Sequence, residues 1–227
     1  WRLPNQENSS KNDNYGLTFN GSNEEINCGN LTSLNSLSAF STSTWINYSG
    51  TPTGYSHVFL SGGVSIADRF YIELISSTQI RYGSGSAFDD VTITSINSGE
   101  WHHLVSVHNN TSLDIYLDGV KQNASPVTVN APTSSIGNDF MIGNFTLQTT
   151  YDWNGSISEL AVFDYALSAT QISTLYGSSS LGAGNPMALK PQPVAYYPLG
   201  DNSASDPLTQ PNVAVEDASV FDFDGSS

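Results

Sequence analysis

Hydrophobic and polar residues alternate along most of this chain, and that period of two limits its fold more than any other feature. In residues 70–75, for example, Phe70, Ile72 and Leu74 would share one side of a strand, because successive side chains of a strand point to opposite faces. Gly, Ser, Asn and Asp separate many short runs of this kind. The pattern therefore predicts an all-β sandwich of antiparallel strands.

A two-residue turn signal adds local detail to this pattern. Asp118-Gly119 follows the run 113–117 and is a typical pair for the type I′ turn of a hairpin. Strands are predicted over residues 15–19, 40–48, 57–60, 70–75, 79–82, 91–96, 101–107, 113–117, 127–129, 140–142 and 157–163.

One segment has the features of a helix instead. Residues 168–171 read Ser-Ala-Thr-Gln, the Ser-x-x-Gln form of a capping box. Leu167 and Ile172 occupy the two positions of a hydrophobic staple, and Gly177 suits the position just after a helix. The sequence therefore predicts one short helix near the C-terminal end of the domain.

The charge balance excludes two classes of partner. The chain has 227 residues, of which only 12% are charged; 6 are Lys or Arg and 21 are Asp or Glu, giving a formal net charge of −15. Binding to nucleic acids or to anionic membrane surfaces relies on clustered Lys and Arg, so we expect neither partner. No run of 18 apolar residues occurs, so we expect no membrane insertion.

The single cysteine and two of the tryptophans have structural interpretations. Cys28 has no partner for an internal disulfide, and we interpret it as a small buried hydrophobe rather than a reactive thiol. Trp45 and Trp101 lie in alternating strands, so we predict that both pack in the core.

The four histidines do not predict a zinc site. His102 and His103 are adjacent, so in a regular strand they would point to opposite faces and could not bind one ion together. His57 and His108 stand alone in the sequence. Zinc sites are built from three or four converging ligands.

The composition changes after the predicted helix. Residues 177–184 read Gly-Ser-Ser-Ser-Leu-Gly-Ala-Gly, which is typical of flexible linkers, and three prolines follow before residue 194. We therefore expect one domain over residues 1–177 and a Gly/Ser/Pro linker over 178–193.

Residues 194–227 repeat features of the N-terminus. Residues 219–226 echo 15–22 at an offset of 204, and Tyr197-Pro198-Leu199 echoes Trp1-Arg2-Leu3. Two echoes in the same order predict a tandem repeat, with 194–227 as the opening strands of a second, incomplete copy. Three outcomes stay open: the chain is a fragment of a longer tandem protein, the tail is disordered, or it donates strands to a neighbouring copy.

Four segments carry a family resemblance. They are residues 40–46 (Phe-Ser-Thr-Ser-Thr-Trp-Ile), 99–105 (Gly-Glu-Trp-His-His-Leu-Val), 113–119 (Leu-Asp-Ile-Tyr-Leu-Asp-Gly) and 155–168 (Gly-Ser-Ile-Ser-Glu-Leu-Ala-Val-Phe-Asp-Tyr-Ala-Leu-Ser). In that order they resemble the laminin G-like, concanavalin A-like lectin/glucanase domain in its pentraxin-related form, over roughly residues 15–177. The resemblance implies a jelly-roll sandwich of two antiparallel sheets.

The same resemblance implies a role in binding. We expect a non-catalytic module that binds carbohydrate or a cell-surface protein in adhesion, as part of a larger extracellular, cell-surface or virion protein. The Asn-, Ser- and Thr-rich composition and the tandem echo also resemble such domains in phage virion proteins.

Two other functions stay open at this point. One alternative is a structural building block of a virion, fibre or surface array, assembled through the C-terminal segment. Another is a glycan hydrolase, which needs two carboxylates at a set separation. The glucanase-type run Glu-x-Asp-x-x-Glu is absent from the sequence, so we do not expect an enzyme.

Candidate ligand-binding residues combine aromatic rings with groups that hydrogen-bond to hydroxyls. Each of them also suits an ordinary turn or edge position. They lie in or near predicted loops and are Tyr55, His57, Phe88, Asp89, Asp90, Tyr151, Asp152 and Trp153.

Calcium is the one cofactor that the resemblance implies, and abundant Asp and Asn oxygens suit a hard cation. Asn20 and Glu159 are the candidate ligands. In the family an acidic residue often precedes the position of Glu159, whereas this chain has Ser158 there. That departure weakens the transferred site.

Overall fold

The computed structural model describes residues 16–22, 24–52, 54–61, 69–84, 87–129, 139–144, 151–177 and 183–199. Within these residues the strands are β1 (Leu17–Asn20), β2 (Ile26–Asn27), β3 (Ala39–Tyr48), β4 (Ser56–Ser61), β5 (Phe70–Ser76), β6 (Gln79–Ser84), β7 (Ala87–Thr92), β8 (Trp101–Asn109), β9 (Ser112–Leu117), β10 (Val120–Lys121), β11 (Val127–Thr128), β12 (Met141–Ile142), β13 (Asn154–Phe163) and β14 (Ala195–Tyr197). A single α-helix, α1 (Ala169–Tyr176), and two 3-10 turns, Thr32–Leu34 and Pro186–Ala188, complete the described elements.

The strands form two antiparallel sheets, as the alternation predicts. In the described part of the chain the larger sheet has eight strands in the order β1-β13-β3-β8-β9-β10, with β11 beside β9 and β14 beside β13. The smaller sheet has six strands in the order β2-β12-β4-β5-β6-β7. The prediction of an all-β jelly-roll sandwich with one short helix near its C-terminal end is confirmed.

The core lies between the facing sides of the two sheets. Ile72 and Leu74 of β5 and Ile46 of β3 are completely buried there. Aromatic rings fill the space between them: the ring centroids of Phe40 and Phe70 are 4.8 Å apart in an edge-on arrangement. Full burial of one such side chain contributes about 1.5–3 kcal/mol. The sandwich therefore depends on the inward half of each alternating strand.

Helix α1 begins and ends at the predicted residues. The Ser168 side chain accepts a hydrogen bond from the Gln171 backbone N–H, and the Gln171 side chain accepts one from the Ser168 N–H. Gly177 follows the helix with φ of 81°, a conformation that glycine adopts without strain. Ile172 and Leu175 are buried on the outer side of the larger sheet. The predicted capping box is confirmed.

The hairpin between β9 and β10 is also confirmed. Asp118 and Gly119 both have positive φ, 52° and 77°, as a type I′ turn requires. The Asp118 carboxylate has a second role, because it accepts hydrogen bonds from the His103 N–H at 2.9 Å and from His102 Nδ1 at 2.8 Å. His102 Nε2 accepts the Asn97 N–H at 3.1 Å, so Nδ1 carries the proton.

The histidines that look isolated in the sequence have close contacts in the fold. His108 is buried, with Nδ1 2.8 Å from the Tyr82 hydroxyl and Nε2 2.7 Å from the Asn110 carbonyl. His102 and His103 do point to opposite faces, as expected. His57 and His108 stand alone in the sequence, but in the fold each meets a polar side chain from another strand, Glu73 and Tyr82 respectively.

Trp45 and Trp101 are buried, but outside the main core. They form a separate cluster with Ala183, and the Trp45 and Tyr176 rings are stacked 5.9 Å apart. Ile46 follows Trp45 directly and Leu104 lies three positions after Trp101; both point into the main core. By the alternation of a strand, the two tryptophans therefore point to the outer side of the larger sheet.

Residues 183–199, predicted as part of a linker and the start of a second copy, pack against the strands and the helix described above. The Gly184 N–H donates to the Leu175 carbonyl at 2.9 Å, and Leu189 is buried beside α1. β14 then pairs with residues 160–162 of β13. Residues 200–227, including the echo at 219–226, lie outside the described residues.

Cys28 is buried in the main core, as expected. Burial raises the pKa of its thiol to about 12, because a thiolate is poorly solvated among apolar side chains. The thiol is therefore almost fully protonated at neutral pH, which agrees with its interpretation as a small hydrophobe.

His103 makes the stability of the fold depend on pH. Its ring lies 5.1 Å from the Trp45 ring, and Nε2 is 2.8 Å from Ser43 Oγ. Burial lowers the pKa of His103 to about 3. Between that value and the ordinary value of about 6.5, only the unfolded chain binds the proton, so the free energy of unfolding falls as the pH falls.

We expect the free energy of unfolding to drop by about 2 kcal/mol more in the native chain than in His103→Gln between pH 6.5 and pH 5. The variant lacks the titrating group, so the difference isolates the histidine from the carboxylates. Urea unfolding at both pH values measures it. Parallel pH profiles for the two proteins would contradict the prediction.

Candidate ligand-binding face

The smaller sheet presents its outer face to the solvent. In β5, Ile72 and Leu74 point into the core, so Tyr71 and Glu73 point outward. The same alternation in β6 and β7 directs Arg81 and Phe88 outward. Together with nearby side chains these residues form what we call the outer-face cluster, which consists of Tyr55, His57, Tyr71, Glu73, Arg81, Phe88, Asp90 and Tyr151.

Arg81 lies at one end of this cluster, where it contacts a carboxylate and two aromatic rings. Its Nε and one terminal nitrogen donate to the two carboxylate oxygens of Asp90 at 2.7 and 2.9 Å. Its guanidinium carbon lies 4.1 Å from the centre of the Phe88 ring and 5.0 Å from that of Tyr55. The pKa of Arg81 is raised, mainly by its hydrogen bonds to Asp90. The guanidinium thus contacts two aromatic rings, and the Asp90 carboxylate neutralises its charge.

A His–Glu pair lies at the other end. His57 Nε2 is 3.0 Å from Glu73 Oε1, and these side chains are only 2% and 5% exposed. The His57 ring is 5.3 Å from that of Tyr151 and 5.8 Å from that of Tyr71. The pair therefore lies beneath aromatic rings, and each of its members supplies the other with a polar partner.

Tyr71 lies flat across the neighbouring strand. A Cβ atom at Gly83 would be 2.0 Å from the Tyr71 ring, so the ring occupies the space that any other residue at 83 would fill. Burial, with a contribution from the charge of Glu73, raises the pKa of Tyr71 to about 12. Its hydroxyl therefore stays protonated at neutral pH and can both donate and accept.

Exposure identifies the residues best placed to touch a ligand. Among the described residues, the exposed large hydrophobic side chains are Val120 (63%), Phe88 (53%) and Tyr55 (37%). Phe88 and Tyr55 both belong to the outer-face cluster and both contact Arg81. Tyr151 packs edge-on against Tyr55 at 5.1 Å. The result is an exposed aromatic surface with polar groups at its border.

The structure brings five of the eight predicted ligand-binding residues together: Tyr55, His57, Phe88, Asp90 and Tyr151. Of the other three, Asp89 and Trp153 point away from the cluster. Asp89 is opposite Tyr82 in the pairing of β6 with β7, so its side chain points away from Phe88 and Asp90. Asp152 is half-buried in the segment before β13.

Trp153 belongs to the interior rather than to a binding loop. Its side chain is completely buried, and its ring meets that of Tyr48 edge-on at 5.0 Å. The ring therefore contributes to packing between the sheets and does not face a ligand.

Sequence reasoning missed Tyr71, Glu73 and Arg81. The alternation already places the first two on the polar side of β5, but Glu73 looks unpaired because its partner His57 comes from β4. Arg81 is one of only six basic residues and sits between the buried Ile80 and Tyr82. The available signal for Arg81 was a basic residue at an outward position between two core residues.

The two candidate calcium ligands do not fit one ion. Asn20 is opposite Asn154 in the pairing of β1 with β13, five residues from Glu159, which is about 16 Å along a strand. Glu159 is buried and its carboxylate accepts a hydrogen bond from the Tyr196 hydroxyl. The part of the chain that the structure describes contains no group of three or more His, Cys, Asp or Glu side chains suited to a metal.

Comparison with known proteins gives a consistent fold assignment. The family model described as the concanavalin A-like lectin/glucanases superfamily matches residues 20–173. A heptameric SAP-like pentraxin from Limulus polyphemus superposes with a TM-score of 0.57 at 17% identity, covering 73% of this chain and 83% of the pentraxin. None of the curated proteins matches the sequence.

Two further solved structures are similar in fold. Domain 4 of AbnA, a GH43 extracellular arabinanase from Geobacillus stearothermophilus solved with arabinotriose, has a TM-score of 0.55 at 20% identity, covering 76% of this chain and 83% of that domain. A protein from Bacteroides ovatus described as carbohydrate-binding has a TM-score of 0.58 at 16% identity, covering 85% and 54%. Among the helices of the described ranges, none has the length and hydrophobicity of a membrane span.

We expect Gly83→Ala to lower the free energy of unfolding by about 1–3 kcal/mol, because its methyl group displaces the Tyr71 ring. In a Tyr71→Ala background the same substitution should cost much less, since the obstructing ring is gone. Chemical unfolding of the native chain, the two single variants and the double variant measures this coupling. An equal cost in both backgrounds would show that the ring does not lie over Gly83.

Proposed function

Because the chain belongs to the concanavalin A-like lectin/glucanases superfamily, we propose that it is a non-catalytic carbohydrate-binding module whose ligand lies on the outer-face cluster. The main support is the pair of exposed rings, Tyr55 and Phe88, both in contact with the guanidinium of Arg81. The C–H face of a sugar ring is apolar and packs well on an exposed aromatic ring, whose desolvation favours the complex.

Polar groups at the border of the rings suit the hydroxyls of a sugar. The Tyr71 hydroxyl is protonated at neutral pH, since the pKa of Tyr71 is raised to about 12, and Tyr151 lies between Tyr55 and His57. Hydroxyl groups both donate and accept hydrogen bonds, as sugar hydroxyls do. A few such groups around an apolar surface orient a ligand.

We propose neutral glycans as the ligand class. Arg81 is the cation in contact with the two exposed rings, but two of its nitrogens are bound to Asp90 and its carbon lies over both rings. It is therefore poorly placed to receive a carboxylate of the ligand. The net charge of −15 also repels anionic sugars over a longer range.

The carboxylates of the cluster support binding without hydrolysis. A glycosidase needs one carboxylic acid to protonate the leaving group and a second carboxylate to act as base or nucleophile. Here Glu73 is paired with His57 and Asp90 with Arg81. Both are engaged in holding the face together, so we propose that the ligand is bound and released unchanged.

For its setting we propose an extracellular, cell-surface or virion protein that presents several copies of this module. Each copy would bind a glycan or a glycosylated surface protein weakly, and linked copies would bind together with higher avidity. The echo of residues 15–22 at 219–226 supports such an array.

We expect Phe88→Ala to weaken binding of a neutral oligosaccharide about tenfold, which corresponds to the loss of one stacking contact of about 1.4 kcal/mol. Val120→Ala is the control, because Val120 is even more exposed than Phe88 but lies on the β9–β10 hairpin of the other sheet. A glycan array identifies the oligosaccharide and calorimetry measures the affinity, each with calcium and with a chelator. Equal losses in both variants, or no binding on the array, would reject the proposal.

We expect the native chain to bind sialylated or uronic-acid glycans at least tenfold more weakly than neutral ones, and Asp90→Asn to narrow that difference. The substitution leaves the Arg81 guanidinium without its carboxylate partner, so it can pair with an acidic sugar. The same array compares the two proteins. A native chain that prefers acidic glycans would overturn the assignment to neutral ligands while leaving carbohydrate binding intact.

A further inference from the structure

Strand β13 has two different partners in line along one side. β1 pairs with residues 154–157 and β14 with residues 160–162, while β3 occupies the other side. β1 and β14 are both antiparallel to β13, so they run in the same direction and β14 ends where β1 begins. This side of β13 is therefore one continuous groove for backbone pairing, which two separate segments of chain fill. We call the part that holds β14 the β14 slot.

Side chains on both faces hold β14 in this slot. Ala195 is buried in the main core, and the Tyr197 ring stacks on that of Phe140 at 6.0 Å. Tyr196 points the opposite way and is buried beside Phe163 on the outer side of the sheet. The strand thus completes two apolar clusters at once, which gives its sequence as well as its backbone a role in docking.

A β-bulge in β13 adds a specific polar contact. The register with β3 shifts between Ser158 and Ala161, and Glu159 has φ of +55°, a strained conformation for this residue. The bulge directs the Glu159 N–H to the Pro198 carbonyl at 3.1 Å and its carboxylate to the Tyr196 hydroxyl. Bulges commonly re-aim side chains in this way. The strain is thus located where β13 contacts the docked strand.

The sequence and the structure assign the docked segment, residues 195–199, to different copies of the domain. By sequence, Tyr197-Pro198-Leu199 echoes Trp1-Arg2-Leu3 and so resembles the opening of another copy. By structure it completes the sheet of this one. The Gly- and Ser-rich residues 177–184 join it to the end of α1. Nothing in its contacts with β13 requires that both strands come from the same molecule.

We propose that the β14 slot accepts residues 183–199 of a second copy of this chain, so that copies are joined by strand exchange. The contacts of β14 are the same within one chain and between two chains, so exchange replaces each contact by an identical one. The fraction of exchanged dimer therefore depends on the protein concentration. In a tandem array the local concentration of the next copy is high, which favours the exchanged form. The proposal is independent of carbohydrate binding, because the outer-face cluster lies on the other sheet.

Cysteine cross-linking of full-length chains tests the exchange. Val162 and Ala195 are directly opposite each other in the pairing of β13 with β14. One chain carries Val162→Cys and the other Ala195→Cys; they are mixed, refolded together at high concentration and oxidised only after refolding, when Cys28 is buried again. We expect a disulfide-linked dimer on a non-reducing gel, formed from one chain of each kind.

Two controls make the result decisive. A chain with both substitutions should form the bond internally and stay monomeric at low concentration. Replacing Ala195→Cys by Ser173→Cys, on the exposed side of α1, should give no dimer. A mixture that stays monomeric while the double variant closes its bond would overturn strand exchange.

A second measurement does not depend on the engineered bond. The native chain refolded at increasing concentration should show a growing fraction of dimer by light scattering, and a monomer at every concentration would overturn the proposal. Mixing the two cysteine chains after each has folded separately measures the rate of exchange. Under these conditions Tyr196→Phe should speed the appearance of the cross-link about tenfold or more, because a hydrogen bond to a carboxylate is lost and β14 leaves its slot more often. An unchanged rate would show that the Glu159 contact does not hold the strand.

Discussion

The burial of one face of each sheet against the other is the constraint on which the rest of the molecule depends. Because side chains alternate along a strand, the inward residues that build the core also determine which residues point outward. Ile72 and Leu74 fix the direction of Tyr71 and Glu73, and Ile80 and Tyr82 fix that of Arg81. The proposed ligand face is thus a consequence of core packing, and its residues are held by the most stable part of the fold.

Local signals in the sequence were sufficient for the all-β sandwich and for its one short helix. Alternation predicted the two-layered sandwich, and the Ser168 capping box predicted α1 to within its end residues. The contacts of His57 were not predictable in this way, because its partner Glu73 depends on how β4 pairs with β5. Residues that meet across strands are specified by tertiary pairing, which leaves no local pattern.

The surroundings of aromatic residues in loops and of bulges in strands were also not visible in the sequence. Trp153 follows a predicted loop, yet its ring fills the interior, because a large ring is stabilised most by complete burial. The bulge at Glu159 places its carboxylate against the Tyr196 hydroxyl of β14, a contact that its position in a strand does not indicate. Neither outcome follows from residue type alone; each depends on the space that neighbouring elements leave.

The ion pair between Arg81 and Asp90 has a consequence for the kind of ligand that suits the proposed face. Two parallel hydrogen bonds fix the guanidinium plane, and that plane in turn restricts the rotamers of the two rings it touches. The surface is preorganised, so association freezes few side-chain torsions of the protein. Most of the entropy lost on binding would then be that of the ligand itself, which favours stiff, branched or short ligands over long flexible ones.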